Sequence, residues 1–233
     1  METIKQLSHI PLFDGLAPEY LQDLARIVIE QVINRGEQIF ADGEEGKGFY
    51  VVITGRVKVF KLSPEGKEQI LHIFGPGEPF GEVPVFAGTS YPANAEALEK
   101  TKVFYFPRKA FIELIRQNPT LALNMLAILS KRLHRFTALV EDLSLKEVPG
   151  RLAAYLLYLS SKQKNNNELT LEITKTQLAS LLGTIPETLS RILTRMSREG
   201  IIKTDILGRI QIIDRKTLEK LAQGEIRLSN SNL

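Results

Sequence analysis

Residues 174–196 read TKTQLASLLGTIPETLSRILTRM, and this stretch decides the fold of the C-terminal part of the chain. Its first ten residues predict a short helix that ends at Gly183, and GTI at 183–185 predicts a tight turn. A second helix can start at Pro186, because a proline in the first turn lacks an N–H that would have no intrahelical acceptor. Two short helices joined by a glycine-containing turn are typical of a helix-turn-helix.

The second helix is predicted to have two opposed faces. The apolar face consists of Leu189, Ile192, Leu193 and Met196. The polar face consists of Glu187, Ser190, Arg191 and Thr194. These polar residue types suit base edges in a major groove, since arginine pairs with guanine and glutamate accepts from cytosine. Two structural alternatives stay open: Thr184 and Glu187 fit a capping box, and Arg191 could be a solvated cation.

The stretch after this helix predicts a β-hairpin wing, with strands at 201–206 and 210–213 joined by Leu207-Gly208-Arg209. Side chains on the helices and the wing are candidates for phosphate contacts, which position a DNA-binding domain without reading sequence. The candidates are Thr174, Thr176, Thr188, Arg198, Lys203 and Arg209.

Charge and composition agree with a polyanionic partner. The chain of 233 residues has a net charge of +3, and residues 146–233 contain 14 Lys and Arg against 9 Asp and Glu. A chance excess on a solvated surface is the alternative.

There are no cysteines, which excludes disulfides and cysteine-bound iron–sulfur clusters. No apolar run is long enough for a membrane span, and no signal-peptide core is found near Met1, so we expect a cytoplasmic location.

The first hundred residues predict a β-roll. Short β-branched and aromatic runs (FYVVIT, RVKVFKL, QILHIF and KVFYF) alternate with glycine-containing turns. A leading helix is predicted from Pro18 to Gln31. We assign residues 1–107 to this domain, which would sense an effector.

A long helix follows, in a segment assigned to residues 108–144. Apolar residues recur in steps of three and four, which predicts a heptad seam and a parallel dimer. They are Leu126, Leu129, Leu133, Phe136, Val140 and Leu143. The alternative is a helix that packs on its own domain. Pro149-Gly150 predicts a hinge at about 144–150, and residues 145–233 form the third domain, the winged helix-turn-helix.

In this order of elements, and in the motifs FGEVPVF (80–86) and TQLASLLGTIPETLSRILTRM, the chain resembles the CRP/FNR family of transcription regulators. The resemblance implies an α+β chain: a jelly-roll domain like those that bind cyclic nucleotides, a dimerisation helix and a winged helix-turn-helix. It also implies a homodimer that binds a palindromic DNA operator, responds to a small-molecule effector and acts with RNA polymerase. FNR-like members read DNA through E-x-x-S-R, here Glu187, Ser190 and Arg191, so we expect a TTGA-like half-site.

The same resemblance bears on the effector. Members that bind cyclic nucleotides have an arginine for the phosphate where this chain has Pro92, and Phe136 replaces one of two hydroxyl residues that contact adenine. We therefore expect an effector other than cyclic AMP, in a pocket between the roll and the dimer helix. Its predicted lining is His72, Phe74, Phe80, Gly81, Glu82, Val85, Phe86, Leu129, Leu133 and Phe136. Haem is one candidate, with His72 and His134 as candidate axial ligands, for a nitrosative or anaerobic signal.

Two other functional classes deserve comparison. A cupin-type enzyme would need clustered histidine and carboxylate ligands, but no His-x-His occurs, so we expect a protein that is not an enzyme. A ligand-binding module without DNA binding would not need the polar face of the second helix. Salt-dependent binding to an inverted-repeat duplex would separate these alternatives.

Overall fold

The structure, a computed structural model, describes residues 2–163, 168–171, 173–205 and 209–228. It divides into two compact units, Met1–His134 and Arg135–Leu233. The longest helix, α5 (Thr120–Leu145), has 26 residues and runs through the point of division. Nowhere in the described ranges is a helix both long and apolar enough to cross a bilayer.

The first unit is a β-roll flanked by helices, as the sequence predicts. Besides the start of α5 it contains α1 (Glu2–Ser8), a 3-10 turn (Pro11–Phe13), α2 (Pro18–Ile27), β1 (Ile29–Ile33), β2 (Gln38–Phe40), β3 (Gly48–Thr54), β4 (Val57–Leu62), β5 (Glu68–Phe74), β6 (Pro79–Phe80), α3 (Val83–Ala87), β7 (Asn94–Ala97), β8 (Thr101–Pro107) and α4 (Arg108–Gln117). Two four-stranded antiparallel sheets form, in the orders β1-β8-β3-β6 and β2-β7-β4-β5.

Strand β3 is buried on both faces and supplies two separate apolar clusters. Successive side chains of a strand point to opposite faces. Tyr50 and Val52 accordingly lie in the roll cluster, which also contains Ile33, Phe40, Val57, Phe74, Phe80, Tyr91, Ala95, Ala97 and Val103. Phe49 and Val51 lie in the helix cluster, where the roll packs against the surrounding helices. The roll interior is therefore occupied by its own aromatic side chains.

The leading helix is shorter than the sequence predicts. We expected it to reach Gln31, but α2 ends at Ile27, and the following residues form β1. Residues 28–33 read VIEQVI, a β-branched segment that suits a strand. Ile29 pairs opposite Tyr105 and Ile33 opposite Thr101, so the ladder with β8 outweighs the helical pattern.

The second unit contains the predicted winged helix-turn-helix. Its elements after α5 are α6 (Val148–Lys162), β9 (Glu168–Leu169), α7 (Lys175–Leu181), α8 (Pro186–Arg198), β10 (Ile202–Thr204), β11 (Ile210–Ile212) and α9 (Arg215–Gln223). The wing is a three-stranded sheet in the order β10-β11-β9, and the sequence analysis did not foresee β9. Part of the predicted wing turn, Leu207-Gly208, lies outside the described residues.

Candidate functional site

The two helices of the helix-turn-helix begin in different ways. At α7, the Thr174 hydroxyl accepts a hydrogen bond from the Gln177 backbone N–H at 3.2 Å, and the Gln177 side chain accepts from the Thr174 N–H at 2.9 Å. This is a capping box. At α8 the N-cap is Ile185, and no described side chain caps the helix. The capping box that Thr184 and Glu187 could have formed is therefore not made.

Helix α8 separates its apolar and polar faces as predicted. The apolar face is buried and consists of Leu189, Ile192, Leu193 and Met196. On the polar face Glu187, Arg191 and Thr194 are exposed, and Ser190 is partly exposed. The Thr194 hydroxyl donates to the Ser190 carbonyl oxygen at 3.0 Å, so its own oxygen is still able to accept a bond. Burial of the first face holds the second toward the outside of the unit.

The charged groups of the polar face have no bonding partner among the residues that the structure describes. Neither Glu187 nor Arg191 makes a hydrogen bond or ion pair with any described residue. Arg195 on the same helix behaves differently, because its guanidinium donates to the Leu228 carbonyl oxygen at 2.9 Å and lies 3.6 Å from Glu199. The carboxylate of Glu187 and the guanidinium of Arg191 thus keep their full hydrogen-bonding capacity for an external partner.

The side chains predicted to contact phosphates differ in their exposure and in the hydrogen bonds that they already make. Thr176, Arg198 and Lys203 are exposed, and Thr188 is partly exposed. The oxygen of Thr174 is used in the capping box, which leaves its O–H as a donor. Arg209 donates to Asp205 at 2.7 Å, and this hydrogen bond raises the pKa of the Arg209 guanidinium. A phosphate would have to compete with Asp205 for that side chain.

Comparison with known proteins identifies both parts of the chain. A model of the cyclic nucleotide-binding domain matches residues 30–118, and a model of the Crp-like helix-turn-helix domain matches residues 150–221. The cyclic AMP receptor protein of Thermus thermophilus is 33% identical over 214 residues, which cover 92% of this chain and 97% of that relative. The chain belongs to the CRP/FNR family of transcription regulators.

Other similarities agree with the assignment to the CRP/FNR family. The transcriptional activator protein Anr of Pseudomonas protegens is 30% identical over 199 residues, which cover 83% of this chain and 80% of Anr. The solved structure of FixK2 from Bradyrhizobium japonicum superposes with a TM-score of 0.74 at 25% identity, covering 84% of this chain and 97% of FixK2. Anr is named as a transcriptional activator, which agrees with a regulator family.

The first unit of this CRP/FNR protein contains a buried ion pair that was not predicted from the sequence. Glu82, which follows the glycine of the FGEVPVF motif, is buried and pairs with Arg132 of α5. The Arg132 guanidinium also donates to the Pro79 carbonyl oxygen at 2.6 Å and lies 4.9 Å from the centre of the Phe74 ring. The motif thus has a cation beside it, although none follows in the Pro92 segment.

Gly81 of the FGEVPVF motif packs against aromatic rings of the roll. Gly81 has a φ of 71°, and a Cβ there would lie 3.0 Å from Phe40 and 3.2 Å from Tyr91. Those two rings stack with their centroids 3.8 Å apart. The Tyr91 hydroxyl donates to the Gly48 carbonyl oxygen at 2.9 Å, and burial raises its pKa. The backbone at Gly81 is therefore in close contact with the aromatic rings of the roll cluster.

The structure divides the predicted pocket lining between different environments. Phe74 and Phe80 belong to the roll cluster, whereas Val85 and Leu129 pack in or against the helix cluster. Phe86 is 42% exposed on α3, and Leu133 is also exposed. Phe136 belongs to the second unit. The predicted lining residues of the first unit therefore lie in different environments: some in the roll cluster, some at the helix cluster and some exposed.

The two histidines do not form an enclosed haem site. His72 lies on β5 with its ring edge against Phe74 and its Nε2 4.0 Å from a Glu78 carboxylate oxygen. His134 is exposed on α5. Within the described ranges, no three His, Asp or Glu side chains are grouped to hold a metal ion. These positions do not fit a pair of axial ligands in one apolar pocket.

Most side chains of the predicted heptad seam are exposed to solvent on α5. Four of its six side chains, Leu126, Leu133, Phe136 and Val140, are between 38 and 67% exposed. Leu129 instead packs against the helix cluster, and Leu143 is partly exposed. Leu123 adds a further exposed leucine near the start of the helix. An apolar stripe of this kind is typical of a helix that packs against another protein surface.

Proposed function

We propose that this regulator is a homodimer that binds an inverted-repeat operator with a TTGA-like half-site. The observation that supports it best is the polar face of α8. There Glu187 and Arg191 are exposed without a partner among the described residues, on a helix whose opposite face is fully used in the core. A residue pair that served only to stabilise the unit would be expected to bond within it.

The chemistry of this face matches G·C pairs. Arg191 can donate two parallel hydrogen bonds to O6 and N7 of guanine in the major groove, and Glu187 can accept one from N4 of cytosine. Both residues lie in the first half of α8, and the N-terminal residues of a recognition helix are those that contact base edges. Thr176, Arg198 and Lys203 would add contacts to phosphates.

Dimer formation would come from α5. Burial of Leu126, Leu133 and Val140 against the same residues of a second copy removes apolar surface from water, which is the main driving force of association. Two-fold symmetry then requires two half-sites about one helical turn, roughly 34 Å, apart.

Selection of duplexes from random DNA tests this proposal. We expect an inverted repeat, with a binding constant that falls steeply as salt is added because phosphate contacts release counterions. Replacing Arg191 by alanine should cost about 1–3 kcal/mol in operator binding and relax the preference at one base pair of each half-site. Arg116→Ala, at an exposed arginine of α4, is the matched control and should leave binding unchanged. Absence of any selected duplex would contradict the proposal.

The effector proposed for the sensing unit is a ligand other than cyclic AMP that opens the Glu82–Arg132 pair. Cyclic AMP binding would need a cation for its phosphate, but the chain has Pro92 where the family's arginine is expected. Arg132, the cation beside the motif, is already paired with Glu82. An anaerobic or nitrosative signal is the proposed stimulus, and RNA polymerase is the proposed partner of the DNA-bound dimer.

A further inference from the structure

Ile185 lies at the start of α8, next to the residues proposed to read DNA. It is the N-cap residue of the helix, in an extended conformation with φ −108° and ψ 153°. Its side chain is 52% exposed, and the next residues along the chain are Pro186 and the exposed Glu187. A branched apolar side chain is thus exposed at the start of the helix, two residues before Glu187 in the sequence.

The residue type conflicts with this position. Helix N-caps favour Ser, Thr, Asp and Asn, whose oxygens bond to the free N–H groups of the first turn, and isoleucine is among the least favourable choices. The neighbouring helix α7 follows the rule through Thr174 and Gln177. A residue that breaks a local rule at an exposed position, where it also gains little from burial, indicates a functional requirement.

The chemistry of Ile185 limits what it can contact on DNA. Its side chain has no hydrogen-bond donor, and the nitrogen of Pro186 has no hydrogen, so neither group can donate a hydrogen bond to a phosphate at this position. The matching apolar group in the major groove is the C5-methyl group of thymine.

We propose that Ile185 is a specificity-determining residue that contacts the C5-methyl group of a thymine in each half-site. The proposal rests on the proposed function, because it requires α8 to lie in the major groove. It adds recognition of the thymine methyl group, which no hydrogen bond of Glu187, Ser190 or Arg191 can supply. A TTGA-like half-site contains thymines that could fill this role.

Replacing thymine by deoxyuridine tests the proposal directly, since deoxyuridine keeps every hydrogen-bonding group and lacks only the methyl group. Each thymine of the selected operator is replaced in turn, and the dissociation constant of the full-length protein is measured for each duplex. We expect one position at which binding weakens about four-fold per half-site, and about fifteen-fold when both half-sites carry the change.

Ile185→Ser is the informative variant. Serine is a better N-cap and lacks the apolar group, so the helix is not weakened while the methyl contact is lost. We expect the thymine-to-deoxyuridine ratio of dissociation constants to fall to about one in this variant. Ile213→Ser, at an exposed isoleucine after β11, is the control and should keep the wild-type ratio.

The outcomes separate this inference from the proposed function. If the wild-type protein binds its operator specifically but shows no sensitivity to deoxyuridine at any position, Ile185 has no such role. The same holds if Ile185→Ser keeps the wild-type ratio. Failure to select any specific duplex would overturn both this inference and the proposed function.

Discussion

At the scale of the residue, Gly81 decides how close the aromatic rings of the roll can come to the backbone of the FGEVPVF motif. Its positive φ favours glycine, and the nearby Phe40 and Tyr91 rings leave no room for a side chain. Tyr50 lies in the same cluster, where burial raises the pKa of its hydroxyl to about 12. The tyrosine hydroxyls of this tightly packed cluster therefore stay protonated at neutral pH.

Gly81→Ala should destabilise the protein through two effects, backbone strain and crowding of the rings. Gly36→Ala separates them, because Gly36 also has a positive φ, of 78°, but no atom lies within 4 Å of the position of a Cβ. We expect Gly36→Ala to lower the free energy of unfolding by about 1 kcal/mol, and Gly81→Ala by at least about 1 kcal/mol more. Urea titration of both variants measures the difference, and equal losses would contradict the crowding argument.

At the scale of the element, α5 serves two kinds of packing. Leu129 and Met125 turn toward the helix cluster, where Met125 is fully buried, and Leu126 and Leu133 are exposed. Arg132 turns toward Glu82. The heptad pattern of the sequence indicates an apolar stripe. It does not distinguish leucines that pack within the same chain from leucines that are exposed on its surface.

Leu133→Asp should convert the proposed dimer into a monomer. The substitution places a charge on the exposed stripe in both copies and removes two leucines from the interface, so the dimer dissociation constant should rise at least about 100-fold. Light scattering after size-exclusion chromatography measures the mass. Leu62→Asp, at an exposed leucine of β4, should leave the mass unchanged. A Leu133→Asp protein that keeps the wild-type mass would remove α5 from the interface.

Sequence patterns predicted the elements whose signals are local. The helix-turn-helix followed from Gly183, Pro186 and the spacing of apolar residues in α8, all within about twenty positions. The Glu82–Arg132 pair could not be predicted this way, because its partners are fifty residues apart and only the tertiary fold brings them together. The short strand β9 and the boundary at Ile27 were missed because pairing with β11 and β8 decides them, and pairing is not visible in local periodicity.

At the scale of the whole molecule, α5 is continuous from the first unit into the unit that contains the helix-turn-helix. It bears Arg132, which holds the buried carboxylate of Glu82, and further along it the exposed Phe136 and Val140. A change at Glu82 therefore acts on the same helix that is proposed to join two copies. Allosteric coupling requires such a shared element with two arrangements.

Glu82→Gln should raise the affinity for the operator in the absence of any effector. The substitution removes the charge that pairs with Arg132, and opening of this pair is the proposed effect of the effector. We expect at least about a five-fold rise, measured by fluorescence anisotropy with the selected duplex. Glu113→Gln, whose ion pair with Arg116 is exposed, is the matched control and should change affinity little. A variant that loses stability but binds the operator as the wild type does would show that the pair is structural alone.

The separation of the two faces of α8 has a consequence for how such a regulator can evolve. The residues that anchor the helix in its unit, such as Leu189 and Met196, are distinct from the exposed residues Glu187, Arg191 and Thr194. Substitutions on the exposed face can change which promoters are recognised at little cost to folding, since surface positions tolerate replacement. A duplicated copy of the gene could therefore acquire a new set of targets through a few mutations while its sensing unit stays unchanged.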